Sequence, residues 1–536
     1  MFESGGVDEV PVPDLRALAA RLGRAACSPR AQEVPDATRI DRIRALEDLK
    51  AAAAAAQARE AAELHASRVA GDGAGDDAVA GARSEVGAAA RDLRRGVAAE
   101  IALARRESPH RGGRHLGLAD ALVAEMPHTF AALAVGRISE WRATILVRET
   151  AVLTAADRAT VDAELAGDPA ALATLEALGD RALAARATQV AYRVDPRSVV
   201  ARASRAEGER CVTVRPAPDT MAYLTALLPV RDAVTAHTAL ARAADTARST
   251  GDPRTRGQLM ADTLVTTLAT TLGSTLDSTV GSTLGTATGD PGVSARPGPE
   301  DVALRLVMTD RALLDGDDEP AHLDGYGTVP ASWARALVAS TLDPEVPDHP
   351  VVVPGPGRAR RGDTVGVDPL DPLAVVVPPA ARVFVKRLLT DAVGAVTAMD
   401  SRARLAPTSL AALVRTRDLG TCRTPWCDAP ARHVDHVVPH ARGGPTSAAN
   451  SPGLCQACNL TKELAGWRAR VRDRAPTPSR HTVTITTPTG HTYVSTAPLL
   501  PGSAPAPPGA PATSTSAAQS QSPVERWLAA TLALVA

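Results

Sequence analysis

The sequence predicts a multidomain protein, with a mainly α-helical N-terminal region followed by a small C-terminal domain stapled by a metal. Three observations carry that prediction. The chain has 536 residues, too many for one ordinary core. Apolar residues are 45% of it but aromatics only 2%, so its cores must be built from Ala, Leu and Val, which suits helices. Four of its six cysteines fall in two close pairs near the C-terminus, Cys422 with Cys427 and Cys455 with Cys458.

Residues 1–39 read as a partly disordered lead. Its start, "MFESGGVDEVPVPD", carries acids and no apolar run, so neither a secretory signal nor a membrane anchor is expected. From 40 to 240, Ala, Leu and Val recur every three or four residues among charges, as in "RIDRIRALEDLKAAAAAAQAREAAELHASR", the pattern of amphipathic helices. In "GRIS", Ser139 is placed to cap the helix that carries Trp141. His110, His115 and His128 stand apart from one another in or near turns and read as structural. At 263–286, "TLVTTLATTLGSTLDSTVGSTLGT" repeats an apolar residue every four. Four residues turn a helix by about 400°, so that line wraps around the rod instead of forming one stripe. It belongs to a low-complexity insert at about 263–299.

Beyond the insert, "VALRLVMTDRALL" reads as a strand and a turn, and a Pro/Gly-rich linker is expected at 346–380. A compact domain at 381–475 opens with a short hairpin and a helix. A β-hairpin extension follows at 476–500, where "HTVTITTPTGHTYVST" alternates Thr with Val, Ile and Tyr around "PTG". Residues 501–536 form a tail disordered by composition that ends in a short amphipathic helix, "VERWLAATLALVA". No window approaches the eighteen or so uninterrupted apolar residues that span a bilayer, so no membrane partner is expected.

Charge resolves unevenly. The whole chain has a formal net charge of −1, yet residues 402–480 hold thirteen Lys or Arg against five Asp or Glu, 13 − 5 = +8. Such a segment suits contact with the phosphates of a nucleic acid. Arg423, Arg432, Arg442 and Lys462, with the run "WRARVRDR", are the candidate contacts. Four residues separate the first cysteine pair, two the second, and twenty-seven lie between the pairs. In a reduced, cytoplasmic protein, such pairs offer four thiolates to one tetrahedral Zn²⁺. A closed four-thiolate site leaves no position for water, so this zinc is structural and any chemistry needs a second ion.

The N-terminal segment "SPHRGGRHLGLADALVAEMPHTFAALAVGRISEWRATILVRET", together with "GQLMADTLV", resembles domain of unknown function 222 (DUF222), over about 40–345. Members of that bacterial family commonly carry a C-terminal HNH nuclease. The resemblance implies no catalytic residues in the helical region.

Between the cysteine pairs lies "HVDHVVPHARGGPTSAAN", with three histidines in eight residues. The ordered set of Cys pair, "VDHVVP", "GGPTSAAN", "LCQAC", Asn459 and Lys462 resembles the HNH endonuclease family over about 415–470. That fold is a ββα-metal module of two antiparallel strands and a helix gripping a catalytic ion. The resemblance implies that Asp435 binds the metal, His436 is the general base, and Asn450 braces the loop. Asn459 stands where the family most often has His, so this is an HNN variant. The two oxygen ligands, Asp435 and Asn459, favour Mg²⁺ or Mn²⁺.

The chemistry gives a reason for the neighbours. Phosphodiester hydrolysis needs a water deprotonated in line with the leaving oxygen, a task suited to neutral imidazole. Adjacent side chains in a strand point to opposite faces, so Asp435 and His436 serve one phosphate only if the strand ends there. Pro439 and Gly443-Gly444 supply the turn. A zinc ribbon that only binds nucleic acid would need the cysteines but not the Asp-His pair. The expected activity is cleavage of DNA, with RNA left open, and His433 and His440 have no assigned role.

Overall fold

The protein is described by a computed structural model over residues 10–28, 34–72, 83–281, 304–342, 351–352, 374–375, 400–401, 404–472 and 480–502. The expected linker at 346–380, the hairpin after it, the end of the 263–299 insert and the tail at 501–536 lie wholly or mostly outside those residues. The chain divides into two units, one of residues 1–62 and 118–196 and the other of residues 63–117 and 197–536.

The first unit is a cluster of short helices, among them Pro127–Ala134, Glu140–Glu149, Ala155–Ala166, Pro169–Ala177 and Asp180–Val194. Three of the starts are fixed locally. Ser139 accepts a hydrogen bond from the Arg142 N–H, Thr154 from Asp157, and Asp168 from Ala170 and Ala171, so side-chain oxygens satisfy donors that the helix itself leaves unpaired. The fully buried Asp162 does the same from a distance, accepting from the N–H groups of His128 and Thr129 at 2.7 and 2.9 Å. Helix Pro127–Ala134 therefore begins against a carboxylate, which its dipole favours. The core is aliphatic, as composition requires: Leu122, Met126, Leu133, Leu146, Val161, Leu183 and Val190 are buried among alanines. Each such leucine contributes about 2 kcal/mol by leaving water.

The second unit holds helix Arg83–Arg105, a hairpin of Cys211–Pro216 with Ala222–Leu227, and helices Val230–Ser249 and Arg256–Gly281. The last of these carries the four-residue repeat as helix as far as Gly281, with Val265 and Leu268 exposed. Strands Leu306–Val307, Ala321–Leu323 and Gly327–Val329 form a small antiparallel sheet under helix Ala331–Leu342.

Two sheets and two helices of this unit build the C-terminal module. Helix Thr408–Arg417 buries Leu410 and Val414 against Ala448. Strand His433–Val434 pairs antiparallel with Gly453–Leu454, and helix Gln456–Thr461 follows directly, giving the expected two strands and a helix. Strands Arg468–Val471, Thr482–Thr486 and Thr492–Thr496 make a three-stranded meander, the last two around Gly490 at φ +83°. Helix Arg83–Arg105 lies against this module. A side chain at Gly96 would touch Leu464 and Trp467, and Glu100 accepts a 2.7 Å hydrogen bond from Thr489 Oγ1.

Candidate active site

The four cysteines converge from two local structures. Cys422 and Cys427 flank a tight loop closed by the Thr421–Pro430 bridge and a Cys422 N–H to Ala429 carbonyl bond. Cys455 caps helix Gln456–Thr461, and Cys458 lies one turn in, its N–H donating to Cys455 Sγ. All four are buried, and their sulfurs lie within 4.8 Å of one another, Cys427 and Cys455 at 3.8 Å. Four sulfurs held about 2.3 Å from one ion would sit about 3.8 Å apart, so the cluster has the dimensions of a tetrahedral site. Crowding the thiols separates their titrations. Hydrogen bonding from Cys427 pulls Cys422 down to about 7, while Cys455 is lowered and Cys427 and Cys458 are raised by bonds to Cys422 and the other sulfurs.

The first strand ends at Val434, so Asp435 and His436 lie past its end and are not forced to opposite faces. Asp435 Oδ1 accepts from the backbone N–H of His436 at 2.8 Å and stands 3.5 Å from its Nδ1. The other ring nitrogen, Nε2, lies 2.8 Å from Thr446 Oγ1, and the imidazole is only 8% exposed. Asp435 Oδ2 meets Lys462 Nζ at 3.0 Å. Burial works to raise the Asp435 carboxyl, but the Lys462 ammonium and the His436 N–H outweigh it and hold it below the usual carboxylate range.

Asn459 lies on helix Gln456–Thr461, three residues before Lys462 and so on the same helix side. Its Oδ1 is buried and has no hydrogen-bond partner among the described residues. A buried amide oxygen without a partner is costly unless something outside the chain uses it. An amide oxygen and the Asp435 carboxylate are both hard donors, the chemistry that suits a hard divalent cation.

Asn450 spans the loop between these groups. Its Oδ1 accepts from Val438 N–H at 2.9 Å, and its Nδ2 donates to the carbonyls of Val438 and Pro445 at 3.0 and 2.9 Å. The loop can close this tightly because Gly443 adopts φ +83° and Gly444 has no side chain. A Cβ at Gly444 would lie 1.8 Å from the Val438 carbonyl oxygen.

Arg423, expected at the phosphates, is instead 5% exposed and fully committed inside the module. It donates to Asp418 at 2.9 Å, to the carbonyls of His481 and Ser495 and to Ser495 Oγ, and contacts His481 Nδ1. A guanidinium with its donors spent on the protein has none left for a polyanion. Asp418, with no exposed surface, also binds Arg417 at 2.8 and 2.9 Å and the Gly453 N–H at 2.8 Å. Arg417 in turn holds the carbonyls of Ala448 and Ser451, the two sides of Asn450. Burial and the positive charges of Arg417 and Arg423 lower His481 to about 4. Sequence reasoning missed this network and Thr446. The only signal was "RTRDLGTCR", charges packed just before the first cysteine.

Arg432 and Arg442 are exposed, the latter on the turn after His436, while the side chain of Lys462 is 14% exposed and turned toward Asp435. His433 is exposed at the strand start, and the exposed His440 stacks edge-on to His436 at 5.8 Å. Among the described residues no helix is long and apolar enough to cross a membrane.

Comparison with known proteins finds two family models along the chain. The family model described as Domain of unknown function (DUF222) matches residues 30–365, and that described as HNH endonuclease matches residues 420–463. No curated protein and no solved structure matches the chain. The first match alone covers more than half of the 536 residues, so the chain belongs to the DUF222 family and carries an HNH endonuclease domain within its C-terminal module.

Proposed function

We propose that this protein is a metal-dependent endonuclease that hydrolyses phosphodiester bonds in DNA, with His436 as general base. The observation that carries the reading is the unpartnered, buried Oδ1 of Asn459 on the helix whose Lys462 holds Asp435, beside an ordered imidazole. Asp435 and Asn459 would hold one Mg²⁺ or Mn²⁺, and Cys422, Cys427, Cys455 and Cys458 a structural Zn²⁺. The divalent cation, when bound, supplies positive charge to the phosphate and the departing oxygen.

The chain's own groups do the rest. We assign the Thr446 proton to the Arg404 carbonyl, 3.5 Å away and an acceptor only, so that its oxygen accepts from Nε2–H of His436. Nδ1 is then the basic nitrogen, on the Asp435 side, and takes the proton of the attacking water. Asn450 keeps the loop from spreading, so the imidazole holds its place relative to Asp435 and Asn459. Products with 5′-phosphate and 3′-hydroxyl ends belong to this reading. Arg442 and Lys462 bear positive charge where the polyanion approaches.

The Lys462–Asp435 ion pair favours a second reading, a nucleic-acid-binding or regulatory protein whose nuclease centre is silent, because an ammonium already neutralises the carboxylate. Supercoiled plasmid incubated with the full chain and Mg²⁺ or Mn²⁺ separates the two. The endonuclease nicks it and His436→Ala does so about 10²- to 10⁴-fold more slowly. DNA shifted but left uncut by both proteins would decide for the binding protein.

A further inference from the structure

A groove of about 320 Å³ opens beside the candidate active site, between the loop that follows His436 and strand Arg468–Val471. It begins at Val437, the residue next to the proposed base, and Lys462, the partner of Asp435, lines it. Its charge is one-sided: Arg442, Lys462, Arg468 and Arg470 against Glu463. Arg468 and Arg470 alternate with Ala469 and Val471, so the strand turns both guanidinium groups to the same exposed side. Neither they nor Arg442 forms an ion pair with any described residue, in contrast to Arg423. Trp467 lines the groove and also the apolar cleft against helix Arg83–Arg105, as do Val437, Lys462, Arg468 and Ala469, so this row of residues divides the two.

We propose that this groove is a single-strand subsite that takes one unstacked DNA nucleotide next to the scissile phosphate, its base on Trp467 and its phosphates on Arg442, Arg468 and Arg470. The proposal rests on the endonuclease reading for the word scissile, but its binding geometry does not. The volume lies at the low end of the roughly 300–1,000 Å³ of small-ligand sites. A duplex, whose major groove alone is about 12 Å wide, does not enter such a space, whereas a single nucleotide does. An indole face with cations around it is the chemistry by which single strands are held, because every base has a π-face and every linkage a charge. The inferred substrate class is DNA with unpaired nucleotides at the cleavage point.

The test is fluorescence anisotropy of the full chain with a labelled oligothymidylate and with a duplex of equal length, without added Mg²⁺ or Mn²⁺. The parent is expected to bind the single strand about tenfold or more tighter than the duplex. Trp467→Ala should lose roughly 5- to 100-fold on the single strand, and Trp467→Phe should keep most of the affinity. Arg468→Ala with Arg470→Ala should lower the slope of log affinity against log salt by about 1.4 on the single strand. Equal affinity for both DNAs, or duplex preferred, overturns the proposal. If Trp467→Ala melts early, the exposed arginine pair carries the test, and unchanged single-strand binding in that double variant overturns the proposal equally. Plasmid and single-stranded DNA both left uncut, with Mg²⁺ or Mn²⁺ added, by a parent that still prefers single strands would overturn the endonuclease reading and leave the subsite standing.

Discussion

The hydroxyl of Thr446 lies between Nε2 of His436 and the carbonyl of Arg404, at 2.8 and 3.5 Å, and a hydroxyl has one proton to give. In the proposed mechanism this makes Thr446 a positioning residue, because that assignment leaves Nδ1 free to accept a proton. Thr446→Val keeps the shape and removes the hydroxyl, so the imidazole loses both its tautomer and its anchor. Cleavage should fall on the order of 10- to 100-fold in kcat, with the acid limb of the pH–rate profile displaced. Thr446→Ser should restore most of the rate, since it keeps the oxygen. A valine variant with parental rate and pH profile would remove Thr446 from the mechanism. The contrast with Arg423 is instructive at the same scale. Both are buried polar residues within the motif region, yet one contacts the imidazole and the other is a strut between Asp418 and the chain at His481 and Ser495.

At the scale of elements, helix Arg83–Arg105 is tied to the meander through Glu100, which is 6% exposed and bound to both Arg68 at 3.3 Å and Thr489 at 2.7 Å. Glu100→Ala takes the carboxylate from the Arg68 guanidinium and unties Thr489, whose hydroxyl keeps only Thr487 and His491 within its own turn, at a cost of about 1–3 kcal/mol. Thermal melting should show that loss, and limited proteolysis should cut sooner near Thr489. Unchanged melting and proteolysis would mean that the helix does not brace the module. The sequence made some of these elements legible and hid others, for physical reasons. The cysteine pairs and the "HTVTITTPTGHTYVST" hairpin declare themselves, because metal ligation and strand alternation each impose a local pattern. The ββα core was readable as an ordered motif, and the helical region from its three- and four-residue periodicity. "WRARVRDR" gave its charge but not its form. Only the pairing of Arg468–Val471 with Val483–Thr486 makes it a strand, and no local spacing encodes that partner. The bond from Glu100 to Thr489 crosses 389 residues and is equally silent in the sequence.

For the whole molecule, the division into two units with different means of stabilisation predicts two unfolding transitions. The first unit has an aliphatic core, while the C-terminal module of the second depends on the cysteine cluster and on the buried network around Asp418. With the proposed zinc bound at the four cysteines, its chelation should therefore lower one transition and leave the other in place. Acid should act on the same transition. Burial raises the Asp418 carboxyl, but its two arginines and the Gly453 N–H lower it further, so its contribution exists above the ordinary carboxylate range and fades below it. His481 adds a window of its own. Its folded value of about 4 lies below the ordinary 6.5, chiefly through burial and then through Arg417 and Arg423, so between these values the unfolded chain binds a proton that the folded one does not. Stability is then complete above about pH 6.5 and declines as the pH falls toward 4, by at most about 3 kcal/mol and less where solvent reaches the ring. Protonation of the cysteines on loss of zinc acts in the same direction, so the parent alone cannot separate the two. His481→Gln keeps a donor for the Ala449 carbonyl, which His481 Nε2 meets at 2.9 Å, and removes the titration. Melting temperatures of parent and variant, compared across pH 4 to 7, should diverge least at pH 4 and most at pH 7, the variant showing the shallower slope. Parallel curves would show that His481 does not sense acid and would leave the lability to the cysteines and Asp418.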